Sequence, residues 1–369
     1  MTLRFGTYTE FQSEPHGDHA KIVWDHIEVG VQADQLGFDV FTCLEHPWFE
    51  QFAIMTDPLQ LFALMSQRTR NIRFRALCHT LTLHNPMVLA GEIALADILL
   101  HGRLEVGLGR GHAWLMDPAN VVLDESVERY PEAVEILLKS WTEDRFSFDG
   151  KYYKADNLQV VPKPLQKPHP PIWQVGTSAK WVERAVRNGW GVALGGPAPN
   201  IAFEEPIRKY HEACEAVGMA SNFAYIKACC IDEDNDRAIE EGRTYLTNFV
   251  HFNVAPTDSL DRSPEGKQRL MDARYEFYAM DDFPNTRNLS YEQLLEMSIV
   301  YAGSPDRVAE QLIALLDQFR FDEFLLIASY GGNARWQAMR NQELFMTQVA
   351  PKMREAAAKM GKKSAVAAA

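Results

Sequence analysis

The chain has 369 residues, 46% of them apolar and 11% aromatic, and a formal net charge of −13. That length suits one large α/β barrel or two average domains, with ample apolar material for a core. The acidic balance, with Lys and Arg scattered, excludes a general nucleic-acid or anionic-membrane surface but leaves room for a local basic pocket that takes one small anion.

The first residues, MTLRFGTYTEF, lack the basic start and apolar stretch of a secretory signal, and LRFGTYTEF reads as the first strand. A helix over 18–36 follows, with Ala20, Trp24, Ile27 and Val31 spaced to form one apolar face. FDVFTCL is the second strand, PLQLFALMSQ the second helix and NIRFRALCHT the third strand. The next helix opens with Asn85 as its cap and Pro86 at the first helical position. Its run LAGEIALADILL is interrupted by Glu92 and Asp97 and is no membrane span. RLEVGLG makes the fourth strand and PEAVEILLKSW the fourth helix. The stretch over about 142–170 predicts a hairpin turning at Asp149-Gly150, then a proline-rich run. PIWQVG, GVALGG, FAYIKACCI and DEFLLIA supply the fifth to eighth strands. The last follows a helix capped by Ser304, with Pro305 in its first turn and Val308, Leu312, Leu315 and Phe319 on one face. Residues 250–300 break the rhythm as a long insertion, either a lid over a site or a helical satellite on the main body. The end, EAAAKMGKKSAVAAA, is expected to be a helix that frays into disorder, so that one domain over 1–355 is followed by a disordered tail over 356–369.

Eight strands alternating with helices fit a (β/α)8 barrel or a doubly wound sheet, and periodicity does not separate the two. The five cysteines (43, 78, 214, 229 and 230) are odd in number and lack CxxC spacing, which fits reduced thiols in a cytoplasm. Cys229 and Cys230 sit side by side on a strand and so point to opposite faces.

Three stretches carry chemistry. GRLEVGLGRGHAWL ends a strand with Gly107, Gly109 and Gly111, and sets Arg110 between the last two. Bare backbone at a strand's end lets a planar ligand or a phosphate approach, and a guanidinium fork suits phosphate; the plainer reading is a tight turn. His112 stands where a dinucleotide fingerprint would need glycine. CLEHPWF puts Glu45 and His46 just past the second strand, where imidazole is the usual proton shuttle near neutrality. No HxH or HxxxH partner accompanies them, and His16 and His19 have no matching third ligand, so no metal site is expected. Thr177 and Ser178, after the fifth strand, open a helix whose free N–H groups favour an anion or ordinary capping.

Taken in order, GFDVFTCLEHPW, LTLHNPMVLAGEIALADILLHGRLEVGLGRG, VVPKPLQKPHPPIWQVGTS and GSPDRVAEQL resemble the bacterial luciferase-like flavin-dependent monooxygenases, from the first strand to about residue 355. The resemblance implies a (β/α)8 TIM barrel with insertions, its site at the carboxyl ends of the strands. It implies reduced FMN (FMNH2) supplied by a separate reductase, with O2 as co-substrate at the flavin C4a carbon. A small organic substrate would be oxygenated. By position, His46 matches the family's active-site histidine, with Pro47 standing where a second histidine is usual. Arg110 matches an arginine directed at the flavin phosphate, joined there by Thr177 and Ser178. Leu77 and Cys78 align with a non-prolyl cis peptide under the flavin ring. Gly109 takes the place of a luciferase cysteine, which is expected to open space there and departs from the aldehyde-oxidising pattern. Leu194 and Gly195 border the flavin by backbone. Glu45, His79 and His112 line the substrate pocket, while His84 belongs to the strand-to-helix connection. Phe252, Tyr275, Phe277 and Tyr278 form an apolar wall under a lid. A homodimer in the cytoplasm is implied, without nucleic acid, membrane or metal. Two alternatives keep the fold: an F420-dependent oxidoreductase, or a non-catalytic flavin-binding subunit like the luciferase β chain.

Overall fold

In chain order the strands are β1 (Arg4–Thr9), β2 (Val40–Cys43), β3 (Arg73–Thr80), β4 (Leu104–Gly109), β5 (Phe146–Asp149), β6 (Lys154–Leu158), β7 (Ile172–Val175), β8 (Gly191–Gly195), β9 (Phe223–Ile231), β10 (Tyr301–Gly303) and β11 (Glu323–Ser329). The computed structural model describes residues 3–176, 179–280 and 285–367. Eight of the strands run parallel and close into a ring in the order β1, β2, β3, β4, β7, β8, β9, β11, with β11 back on β1. Helices cover the outside, so the chain is a (β/α)8 barrel and the doubly wound alternative falls. The eight ring strands are those the apolar runs predict. β10 pairs with β9 beyond the end of β8, on the edge away from β11, with Tyr301 opposite Cys229.

Strand alternation sorts the side chains. On β1, Phe5 packs outward under the helices, whereas Tyr8 joins the inner cluster with Leu77, Trp173, Ile226 and Leu325. Cys229 and Cys230 divide in the same way between the outer and inner clusters. Trp173 fills the barrel because β8 begins with glycine: a Cβ on Gly191 would lie 2.5 Å from its ring. The amino-end floor is ionic. Arg75, fully buried, reaches Glu105 at 2.6 Å and Glu323 at 2.7 Å, and stacks 3.6 Å over Trp173. Arg73 and Arg4 also pair with Glu105, and Arg4 with Glu323.

Helix starts follow their local signals. Asn85 accepts hydrogen bonds from the Met87 and Val88 amides, and Ser304 from the Arg307 amide, each just ahead of a proline. Val308, Leu312, Leu315 and Phe319 are all buried. The first helix, His19–Leu36, differs from its predicted face: Trp24 is 54% exposed, and burial centres on Ile27, Gly30, Val31 and Ala33. The reason is Gly30, where a Cβ would lie 2.1 Å from Met65 Cε and 2.9 Å from the Phe41 ring. Apolar spacing gives a glycine no weight, so that close approach does not show in the pattern.

β5 and β6 form the predicted hairpin, with Gly150 bonded to Tyr153 across the turn. The described residues of 250–300 fold largely as helices: the end of helix Asn235–Val254, then Pro264–Asp272, Glu276–Ala279 and Tyr291–Glu296. Leu270, Ala273, Tyr275 and Tyr278 pack on Ala113, Met116 and Leu123, just after β4. The insertion is thus a helical layer that also covers one side of the barrel mouth. At the far end, helix Ala350–Ala367 runs through the segment expected to be a tail, anchored by buried Met353 and Ala357. The alanine-rich sequence is a strong helix former, as the helical reading of this end expects.

Candidate active site at the carboxyl ends of the strands

The turn after β2 separates Glu45 from His46. Glu45 points under β3: its Oε2 accepts from the Thr80 amide at 3.0 Å and lies 3.6 Å from His79 Nδ1, and its Oε1 is 2.6 Å from His84 Nε2. Burial alone would raise this carboxyl, but hydrogen bonds from His79 and His84 outweigh it and hold Glu45 down at about 2. The same contact raises His84. Glu45 and His84 are therefore an ion pair that fastens the ends of β2 and β3 together. This places Glu45 beneath the mouth, not on a pocket wall, because adjacent residues leaving a strand face opposite ways. It also gives His84 a partner that the sequence pattern leaves unseen.

His46 faces the mouth. Its ring lies 4.6 Å from Phe52, 5.1 Å from His112 and 5.6 Å from Trp114, and neither ring nitrogen has a partner. Burial pushes its pKa down to about 3 against the pull of the Glu45 charge, so the imidazole is neutral at physiological pH. A neutral imidazole offers one donor and one acceptor, both unspent here. His112, held neutral by burial and by His46, bonds the Tyr278 hydroxyl. The Trp114 indole N–H is also buried and unpartnered. A cavity of about 190 Å³ lies behind Trp114, lined by Ala113, Leu123, Leu260 and Leu270. His79 belongs to the layer below, its Nε2 unpartnered.

The glycines of β4 answer first to β3. A Cβ on Gly107 would lie 2.1 Å from the Ala76 carbonyl oxygen, and one on Gly109 2.0 Å from Cys78 Sγ. Gly111 takes a left-handed φ of +90°, with Thr80 Cγ2 at 2.4 Å from any Cβ. Gly109 therefore leaves no hole: the Cys78 thiol from the neighbouring strand occupies that space. The Leu77–Cys78 peptide is cis. β3 and β4 shift register between Ala76 and His79, around that bond.

Arg110 is only 8% exposed and makes no ion pair among the described residues. It donates to the carbonyls of Ala273 at 2.5 Å and Arg274 at 2.8 Å, and lies 3.7 Å over the Tyr275 ring. Tyr275 in turn donates to the Gly111 carbonyl at 2.9 Å. Of the expected wall, Phe252, Tyr275 and Tyr278 are buried, but Phe277 faces outward at 55% exposure, on the far side of a single helical turn. Across the mouth, Leu194 and Gly195 end β8, Gly195 with φ +135° packed against the Ile226 backbone. Gly196 beside it has open space where a Cβ would stand. Thr177 and Ser178 lie outside the described residues. The structure thus gathers His46, Cys78, Gly109, Arg110 and His112 on the β2–β4 side, and sets Leu194 and Gly195 opposite.

Sequence reasoning misses Trp114, Tyr8 and Glu10. Tyr8 and Glu10 lie two positions apart at the carboxyl end of the first strand, and this Tyr-x-Glu is the signal that marks them.

A buried, neutral histidine and a buried arginine thus lie at the carboxyl ends of a parallel barrel, the face on which barrel enzymes carry their sites. Residues 3–323 match the family model described as luciferase-like monooxygenase, and the chain belongs to that family. It is 27% identical over 222 residues to the oxygenase component of the flavin-dependent trigonelline monooxygenase of Acinetobacter baylyi, covering 58% of this chain and 60% of that protein. It is 26% identical over 298 residues to the F420-dependent glucose-6-phosphate dehydrogenase of Segniliparus rotundus, covering 78% and 82%. Among solved structures, the oxygenating constituent of 3,6-diketocamphane monooxygenase from the CAM plasmid of Pseudomonas putida, in complex with FMN, superposes with a TM-score of 0.73. That match spans 95% of this chain and 99% of the other at 21% identity, a likeness of fold. Among the described residues no helix is long and apolar enough to cross a membrane, and no cluster of metal-ligating side chains occurs.

Proposed function

We propose that this chain is the oxygenase component of a two-component FMN-dependent monooxygenase of the cytoplasm. It would take reduced FMN from a separate reductase and use O2 to oxygenate a small organic substrate. The observation that carries this is the pairing, at one rim, of an Arg110 cation without a carboxylate and a His46 imidazole with both nitrogens unspent. A buried guanidinium normally finds a carboxylate or an anionic ligand, and unpaired buried nitrogens mark a place for a ligand.

The residues fit FMN. Arg110 would hold the phosphate, with Thr177 and Ser178 as partners. Leu77, Cys78 and Gly109 would lie along the ring, and Leu194 and Gly195 would meet it by backbone. Bound flavin supplies the oxygen activation; the protein's part is positioning and exclusion of water. Phe52, Trp114 and Tyr278 dry the space around His46, which holds or moves a proton at Nε2 or Nδ1. Two alternatives remain: an F420-dependent oxidoreductase, as one relative is named, and a non-catalytic flavin-binding subunit. Helix Pro86–Leu99 exposes Val88, Leu95, Ile98 and Leu99, an apolar face that fits a homodimer.

The test mixes purified chain with photoreduced FMN and oxygen. The expected result is tight binding of reduced FMN and slowed reoxidation, with His46→Ala changing the reoxidation rate. Binding of F420 in place of FMN, followed by hydride transfer from an alcohol, would assign the alternative chemistry.

A further inference from the structure

The guanidinium that the flavin reading gives to a phosphate is already engaged. Arg110 spends Nη1 on the Ala273 carbonyl at 2.5 Å and Nη2 on the Arg274 carbonyl at 2.8 Å, with the Ser126 hydroxyl 3.4 Å from Nη1. The Tyr275 ring covers its face at 3.7 Å. One oxygen on each terminal nitrogen is also how a guanidinium takes a phosphate in bidentate fashion. Arg110 itself is fixed, since its own carbonyl accepts from the Thr82 hydroxyl at 2.7 Å. The side of the contact that can move is the insertion.

The two carbonyls follow helix Pro264–Asp272, which Ala273 caps. Arg274 takes a left-handed φ of +58°, uncommon for a residue with a Cβ. The strap beyond it is tied to the loop after β4: Tyr275 donates to the Gly111 carbonyl at 2.9 Å, and Tyr278 bonds His112. Leu270, Ala273, Tyr275 and Tyr278 sit in a small buried cluster separate from the two larger ones, so this segment can open without unfolding the barrel. The Arg274 side chain stands in solvent at 68% exposure. A carbonyl is a neutral acceptor, whereas a phosphate oxygen makes a charge-assisted bond roughly twice as strong. Carbonyls at a helix's carboxyl end also carry the negative end of its dipole, which opposes an anion beside them. A phosphate cannot join this arrangement; it has to replace the carbonyls.

We propose that the strap Ala273–Tyr278 is a built-in stand-in for the anion: its two carbonyls occupy the seat of a phosphate on Arg110, and a flavin's phosphate displaces them and frees the strap. A tail without phosphate cannot make that exchange, so the strap selects for a phosphorylated flavin. Its release also frees His112 from Tyr278 and uncovers the ring wall beside His46. The proposal rests on the flavin reading of the mouth.

The test uses the full-length chain and reads backbone amide exchange by mass spectrometry together with binding. Amides over 270–280 should exchange slowly in the native chain alone. Photoreduced FMN, kept anaerobic, should speed their exchange about 10-fold, the loss of one to two net hydrogen bonds. Reduced riboflavin, which lacks the phosphate, should leave it unchanged. Arg110→Met should exchange fast without any flavin, and Arg110→Lys, which keeps the charge but not the fork, should fall between. Tyr275→Phe keeps a ring over Arg110 and loses only the bond to Gly111. It should bind reduced FMN about 5-fold tighter and reduced riboflavin as before. Slower exchange with FMN, or weaker FMN binding by Tyr275→Phe, would make the segment a lid that closes on flavin and overturn the proposal. Equal effects of riboflavin and FMN, or equal exchange in the native chain and Arg110→Met, overturn it too. If the native chain does not bind reduced FMN, the flavin reading fails and inorganic phosphate decides the strap. It should speed exchange in the native chain and not in Arg110→Met; no effect on either sinks the strap as well.

Discussion

The floor and the mouth of this barrel both bury arginines, and they treat them in opposite ways. At the floor, Arg75 meets Glu105 and Glu323, and Arg4 and Arg73 close the remaining carboxylate positions. At the mouth, Arg110 has carbonyls, the Ser126 hydroxyl and a tyrosine face but no carboxylate among the described residues, and both His46 ring nitrogens lack a hydrogen-bond partner. One fold thus pairs its buried arginine with carboxylates at the floor and leaves a buried arginine without one at the mouth. Full pairing at the floor locks a single arrangement, whereas the open valences at the mouth cost stability and hold binding capacity in reserve.

The largest effect that can break this contrast lies at the floor. Arg75→Met leaves two buried carboxylates without their shared cation, and should cost about 3–5 kcal/mol in denaturant unfolding. A loss near zero would mean that the two ends are alike.

Acid unfolding should sharpen the contrast by window. Burial alone would raise Glu105, but Arg75, Arg4 and Arg73 hold it well below the ordinary 4.5. Its contribution is complete above pH 4.5 and is lost as pH falls further. His46 has the other profile. The unfolded imidazole takes a proton near 6.5 and the folded one only near 3, so stability drains from pH 6.5 downward. Native stability should therefore slope gently between pH 6.5 and 4.5 and steeply below, and replacing His46 should flatten only part of the upper slope. Unfolding midpoints measured from pH 7 to pH 3 decide this.

The smallest effect is the most pointed. His46→Leu removes two unpartnered nitrogens from an apolar cage, and at pH 7 should leave stability unchanged or raise it by about 1 kcal/mol while abolishing the function tied to that histidine. A strong destabilisation would show His46 to be part of the scaffold.

Much of the frame was legible along the chain. The ring strands read as apolar runs because a parallel strand is buried on both faces. Asn85-Pro86 and Ser304-Pro305 announce helix starts through contacts two or three residues away. His46, Cys78, Gly109 and Arg110 were legible as a motif set, but their neighbours were not. Glu45 looks like a companion of His46 and instead turns beneath β3 to meet His84, 39 residues away. Arg110 meets carbonyls 163 and 164 positions downstream. Gly107 and Gly109 look like room for a ligand, yet that room is taken by β3.

By itself, then, the order of residues determined the eight parallel strands, the caps and the family, because each depends on patterns spanning a few positions or on motifs in series. Tertiary structure alone decided which face of the first helix is inside, that Glu45 turns away from His46 to His84, and that His46 is held neutral. The physical reason is that desolvation and pairing are set by groups from distant parts of the chain, and a side chain's charge state belongs to that assembled environment.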